Sequence, residues 1–90
     1  MHSLEFEFNP VKSVANRKKH GIDFVEAQSL WDDERLLELE ATTSEEPRQI
    51  AIGVNRGKCW LAVFTMRGTA IRTISVRRAR VREVQLYEGQ

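Results

Sequence analysis

Apolar and polar residues alternate near the start of the chain, Leu4-Glu5-Phe6-Glu7-Phe8. This period of two predicts a half-buried strand with the leucine and both phenylalanines turned inward. Asn9-Pro10 then opens a helix: asparagine caps, and proline at the first helical position gives up an N–H that has no partner anyway. The helix is expected to close at His20-Gly21, where glycine takes the left-handed conformation. Asp23-Phe24-Val25-Glu26 has the spacing of a capping box, with aspartate for the usual hydroxyl, and starts a second short helix. Phe24, Ala27, Leu30 and Trp31 fall on one side of it and should face the core.

Past Asp32-Asp33-Glu34 the pattern changes to strands. Arg35–Glu40 reads as a short strand and Ala41–Pro47 as a polar loop. Arg48–Val54 carries Ile50, Ile52 and Val54 on one face, and Asn55-Arg56-Gly57-Lys58 is a hairpin turn signal. Cys59–Met66 is apolar on both faces, which places it centrally in a sheet and covered on both sides. After a turn at Arg67-Gly68, Thr69–Val76 forms the last strand. Arg77–Tyr87 contains no glycine or proline and reads as a helix whose inner arc holds Val76, Ala79, Val84, Leu86 and Tyr87. The expected fold class is α+β: two N-terminal helices, an antiparallel β-sheet meander and a C-terminal helix in a single domain over residues 1–90.

Composition narrows the function. At 41% hydrophobic and 30% charged, 90 residues supply one core and no second domain. A single cysteine, Cys59, rules out an intrachain disulfide and any multi-cysteine zinc site. Its place in the most buried strand argues against a nucleophilic role. No apolar run reaches the roughly 20 residues that span a bilayer, and the first residues lack the order of a signal peptide, so a cytoplasmic location is expected.

The net charge of +1 conceals a division. Met1–Pro47 holds five basic residues against eleven acidic, a net of −6, whereas Arg48–Gln90 holds nine basic against two acidic, a net of +7. Such asymmetry fits a polyanion, a partner that covers the basic face, or an acidic half folded over a basic one.

Lys12, Asn16 and His20 recur at i, i+4 and i+8 beside the apolar Val11, Val14 and Ala15, as a polar stripe bordering the core and pointing along a groove. His20 has two readings: a group presented to a phosphate, or a cation favoured at a helix C-terminus by about 0.3–1 kcal/mol. On the last helix Arg80 and Glu83 are three apart and are expected to form a structural ion pair with each other or with the sheet edge. Arg78 and Arg82 project from the other side of that helix. Arg72 shares a strand face with Ala70 and Ile74 and needs a partner, because guanidinium cannot shed its charge. That partner is a carboxylate such as Glu38 or Glu40, or an external phosphate. Metal-ligand spacing, a glycine-rich phosphate loop and a Gly-x-Ser-x-Gly elbow are all missing, so neither metal nor cofactor is expected.

Taken together the residues resemble a known family. Phe8-Asn9-Pro10-x-Lys12-x₃-Asn16-x₂-Lys19-His20-Gly21-Ile22-x-Phe24-x-Glu26-Ala27 is similar to the opening of the BrnT toxins of type II toxin–antitoxin systems. So are Arg48-x₃-Ile52-Gly53, Thr65-x-Arg67-Gly68, Ile71-Arg72-x-Ile74-Ser75-x-Arg77-Arg78-Ala79 and Glu83-x₃-Tyr87. Trp31 departs from an expected phenylalanine, and Arg80 from a commoner small polar residue. The resemblance implies a RelE-like fold and a ribonuclease that cleaves RNA and arrests translation and growth. It also implies a BrnA-type antitoxin with a ribbon-helix-helix part, joined to the toxin in a hetero-oligomer. The motif positions it carries over are Lys12, His20, Arg67, Arg72, Ser75, Arg77, Arg78, Glu83 and Tyr87.

These readings converge on metal-independent cleavage in which the substrate's 2′-hydroxyl attacks the neighbouring phosphate. Arg72, Arg77 and Arg67 would stabilise the charge that builds on phosphorus. His20 would move a proton, since imidazole titrates nearer neutrality than other side chains. Lys12, Arg78 and Arg82 would grip the RNA backbone without reading sequence. The alternative is a non-catalytic module that binds RNA or a partner protein through the basic C-terminal face.

Overall fold

The computed structural model describes residues 4–41 and 47–90. Strand β1 (Glu5–Glu7) leads into helix α1 (Pro10–His20), followed by a 3-10 helix (Glu26–Asp32). Strands β2 (Leu37–Ala41), β3 (Arg48–Asn55), β4 (Lys58–Arg67) and β5 (Ala70–Arg78) come next, and helix α2 (Val81–Glu88) ends the chain. The five strands form one sheet in the order β1-β5-β4-β3-β2. β2 to β5 make the expected antiparallel meander, while β1 pairs with β5 in parallel, Phe6 opposite Ile71 and Glu7 opposite Arg72. The fold is thus mixed α+β with a single N-terminal α-helix; the second expected helix is the 3-10 turn. Most of the loop expected over Ala41–Pro47 lies outside the described residues.

Local chemistry sets the helix ends. Asn9 Oδ1 accepts from the backbone N–H of Val11 at 2.9 Å and of Lys12 at 3.3 Å, and Pro10 follows at N1. Gly21 terminates α1 at φ 83°, a conformation that costs a side-chain-bearing residue about 1–2 kcal/mol. Asp23 Oδ1 accepts from Glu26 N at 2.7 Å and so opens the 3-10 helix as expected. At the β3–β4 turn both Arg56 (φ 53°) and Gly57 (φ 76°) lie in the left-handed region, as a two-residue hairpin loop requires.

The core lies against one face of the sheet. Ile22, Phe24, Ala27 and Leu30 pack on Ala51, Trp60, Ala62, Phe64, Ile71 and Val76, with Phe6, Phe8, Trp31 and Leu36 at the margin. Trp31 fills its position by edge-on ring contacts with Phe6 (5.4 Å) and Phe64 (5.3 Å). On the opposite face Ile52 and Leu61 are buried where α2 packs against β3. That covers only part of β4, since Val63 and Thr65 on the same face are only half-buried.

Three hydrophobic expectations fail. Leu4 is 50% exposed, because strand pairing starts only at Glu5. Val11 and Val14 face outward, and Ser13 and Asn16 are the buried residues of α1. The cause is the bare edge of β5, since β1 covers it only over Ala70–Arg72. Asn16 pairs with that edge as a strand would, donating through Nδ2 to Val76 O (2.9 Å) and accepting from Val76 N (3.2 Å). The same amide donates to Ile22 O at 2.8 Å, and Ser13 Oγ accepts from Phe24 N at 2.9 Å. Finally, β5 runs on to Arg78, two residues past its expected end, because Arg77 and Arg78 still pair with Leu61 and Trp60. The last helix therefore starts at Val81, and Leu86 is 54% exposed rather than inward.

Candidate functional site

A groove of about 290 Å³ opens between α1 and β5. Lys12, Ala15, Asn16, Lys19 and His20 line it from α1, Phe24 from the loop beyond, and Ile74 and Ser75 from the strand. The strand contributes these two because of a bulge: Val63 pairs with Ser75 and Phe64 with Thr73, leaving Ile74 over. The extra residue interrupts the alternation that was expected to put Ile74 on Arg72's face. Asn16 spends its amide on backbone groups, so the polar chemistry left on the wall is Lys12, Lys19, His20 and the Ser75 hydroxyl. Three groups that carry or accept positive charge thus face one opening. Lys12 and His20 were placed by helical spacing; Lys19 and Ser75 stood in the motif but were given no role.

Arg67, Arg72 and Arg77 lie elsewhere. None lines this groove. The pairing register puts all three on the sheet face opposite Trp60, Ala62 and Phe64. Each meets an acid there. Arg72 Nη1 lies 3.5 Å and Arg67 Nε 3.8 Å from the same Glu7 oxygen, which is 41% exposed at the side chain. The carboxylate facing Arg72 is therefore Glu7 and not Glu38 or Glu40. Those two sit on β2, three strand spacings from β5, roughly 14 Å away.

Arg77 is held far more tightly. Its Nη1 and Nη2 each donate to a different Glu83 oxygen at 2.8 Å, a bidentate fork with side chains 28% and 20% exposed. Glu83 Oε1 also accepts the Arg80 backbone N–H at 2.8 Å and so closes the first turn of α2. The expected ion pair of Arg80 with Glu83 is corrected accordingly: Arg80 contributes its backbone, and Arg77 is the ionic partner. The fork holds the Glu83 carboxyl below the ordinary carboxylate range and raises Arg77 further. Arg78 and Arg82 do not share a helix face, because Arg78 belongs to β5 and its guanidinium stacks over the Trp60 ring at 5.6 Å. Arg82 is exposed on α2.

The far end of α2 has its own anchor. Tyr87 donates its hydroxyl to Asp33 Oδ2 at 2.6 Å, and Asp33 also accepts from the backbone of Arg35 and Val54. Burial raises the Asp33 carboxyl, but these hydrogen bonds outweigh it and leave the group below its usual range. The hydrogen bond to Asp33 raises Tyr87 to about 12. Desolvation likewise pushes the Cys59 thiol up. Among the described residues, no three His, Cys, Asp or Glu side chains gather as a metal-binding group, and no helix is long and apolar enough to cross a membrane.

Comparison with curated proteins finds no match. A family model does match residues 8–83, from the Phe8-Asn9-Pro10 entry of α1 to the Glu83 anchor of α2. By that match the chain belongs to the BrnT family, the ribonuclease toxins of type II toxin–antitoxin systems, whose targets are RNA and whose partners are antitoxins.

Proposed function

We propose that this toxin cleaves RNA in the groove between α1 and β5, without a metal ion, through the substrate's own 2′-hydroxyl. The observation that carries the reading is the convergence of His20, Lys12, Lys19 and Ser75 on one open groove of a ribonuclease-family chain. His20 takes the proton of the 2′-hydroxyl as that oxygen bonds to phosphorus. The 5′-oxygen of the next nucleotide leaves and is protonated, giving a 2′,3′-cyclic phosphate and a free 5′-hydroxyl. Lys12 and Lys19 hold the phosphates on either side, and exposed Arg78 and Arg82 extend the positive surface.

The three arginines have unequal parts. Arg72 shares Glu7 with Arg67 through single long contacts to a half-exposed carboxylate, so a phosphate can displace that acid. Since neither lines the groove, we assign Arg72, with Arg67 in support, to grip the RNA backbone beyond it. Arg77 is a positioning residue that fixes α2 to the end of β5, because its charge is already matched by two short bonds to Glu83. The fold is read as RelE-like, the site of action as the cytoplasm, and the antitoxin as a BrnA-type ribbon-helix-helix protein whose binding silences growth arrest.

The test is incubation of purified protein with RNA in EDTA, followed by end-group analysis. Cyclic phosphate ends, abolished by His20→Ala and reduced by Arg72→Ala in folded protein, are expected. Mobility-shifted but intact RNA would overturn the reading in favour of a binding module.

A further inference from the structure

A second, smaller pocket lies at the other side of the α1 C-terminus. It encloses about 150 Å³ and is lined by Gly21, Ile22, Glu26, Asn55, Arg56, Lys58 and Trp60. Two observations set it apart from an ordinary surface dent. Trp60 is only 7% exposed, yet its indole Nε1 has no hydrogen-bond partner. Indole is a donor only, and buried donors are satisfied in the great majority of cases. Secondly, basic groups gather at the pocket: Arg56 and Lys58 line it from the hairpin turn, and Arg78 stacks on the Trp60 ring. Arg56 holds a left-handed backbone (φ 53°) at this turn. One acid, Glu26, belongs to the lining, and it is engaged by Arg17, which also lies 3.8 Å from Asp23.

We infer that the Trp60–Arg56–Lys58 pocket is a second phosphate subsite, gripping the RNA strand away from the point of cleavage. The inference rests on the proposed RNA reading of the groove. Its chemistry is that of a phosphodiester: acceptor oxygens for the guanidinium and ammonium groups, and negative charge for three cations. The chain itself links the two sites, for His20 lines the groove and Gly21, the next residue, lines the pocket. Lys19 lines the groove at this end of α1. The occupant is RNA rather than an acidic protein segment because this continuity makes one track with the family's nucleic-acid target.

The experiment is binding of a short 2′-O-methyl RNA, which 2′-oxygen attack cannot cut, so affinity is read whether or not the protein cleaves. Trp60 emission is followed in a Trp31→Phe background. The doubly substituted Arg56→Gln/Lys58→Gln protein, altered only at exposed turn positions, should bind about tenfold more weakly at low salt. Its log K against log salt slope should also be shallower by roughly 0.7, the value for one phosphate contact on a single strand. Unchanged affinity and slope would overturn the subsite. So would binding of an acidic peptide that depends on Arg56 and Lys58 while RNA binding does not. Loss of cleavage with the binding difference intact would refute only the catalytic reading.

Discussion

Removing the Arg77–Glu83 fork separates two roles that the arginine's position alone leaves equal. Both bonds are 2.8 Å, and about a quarter of each side chain is exposed. Hydrogen bonds to charged groups contribute about 1.5–3 kcal/mol, exposed ion pairs about 0–1, and breaking a buried pair costs about 3–5. Partial exposure puts this pair near 2 kcal/mol. Glu83→Ala also removes the acceptor of the Arg80 N–H, worth about 1 kcal/mol more, whereas Glu83→Gln retains an oxygen for it. Urea unfolding followed by tryptophan emission should give a loss of about 2 kcal/mol for Arg77→Ala and about 3 for Glu83→Ala. The double variant should fall short of their sum by about 1.5–2 kcal/mol. For a domain of this size, 2 kcal/mol lowers Tm on the order of 10 °C. Activity gives the second readout. If Arg77 only positions α2, Arg77→Ala and Glu83→Ala lose cleavage in parallel and regain it together on cooling. A coupling energy below about 0.5 kcal/mol, or cleavage abolished by Arg77→Ala but kept by Glu83→Ala, would refute the reasoning.

The fork and the Tyr87 anchor also make stability depend on pH at both extremes. Glu83 and Asp33 have lowered folded values, so their contribution is present above the unfolded carboxylate range and is lost as pH falls through the folded values. Tyr87 is the opposite case: its stabilisation is complete below the ordinary tyrosine value of 10 and disappears as pH rises through about 12. Tyr87→Phe should cost about 1 kcal/mol at neutral pH and abolish the alkaline slope, read as the urea midpoint against pH. Asn16→Ala strips three buried hydrogen bonds and orphans the Val76 edge, an expected loss of about 3 kcal/mol in the same assay. Cys59, its thiol raised by desolvation, should react with a thiol reagent at neutral pH more slowly than free cysteine, and match it only after unfolding.

The sequence carried the local features faithfully because each has a local cause. Asn9-Pro10 and Gly21 bound α1 through their own backbone preferences, and the Asn55–Lys58 turn follows from glycine after a residue that must also turn left-handed. The groove was legible for the same reason, since Lys12 and His20 share a helical stripe whatever packs against it. What the sequence did not carry depends on which strands become neighbours. Glu7 reaches Arg72 only because β1 adds in parallel beside β5, a pairing that alternation within Leu4–Phe8 does not encode. The polar inner face of α1 has the same origin: Ser13 and Asn16 turn inward to satisfy a loop and a sheet edge that a hydrophobicity pattern cannot see. The bulge at Ile74 shifts the face count along β5 by one, and the last helix starts late because β4 continues to pair with Arg77 and Arg78. Arg77's true partner then follows from geometry, six residues on and not within one helix.

The most direct test of the account is single-turnover cleavage of a dinucleotide by the wild-type protein and by His20→Gln, in EDTA and across the pH range. A pH-dependent rate limb in the wild type, with 2′,3′-cyclic phosphate product, and a rate without that limb in the variant are predicted. The same pH profile in both proteins, or cleavage that requires an added metal ion, would contradict it.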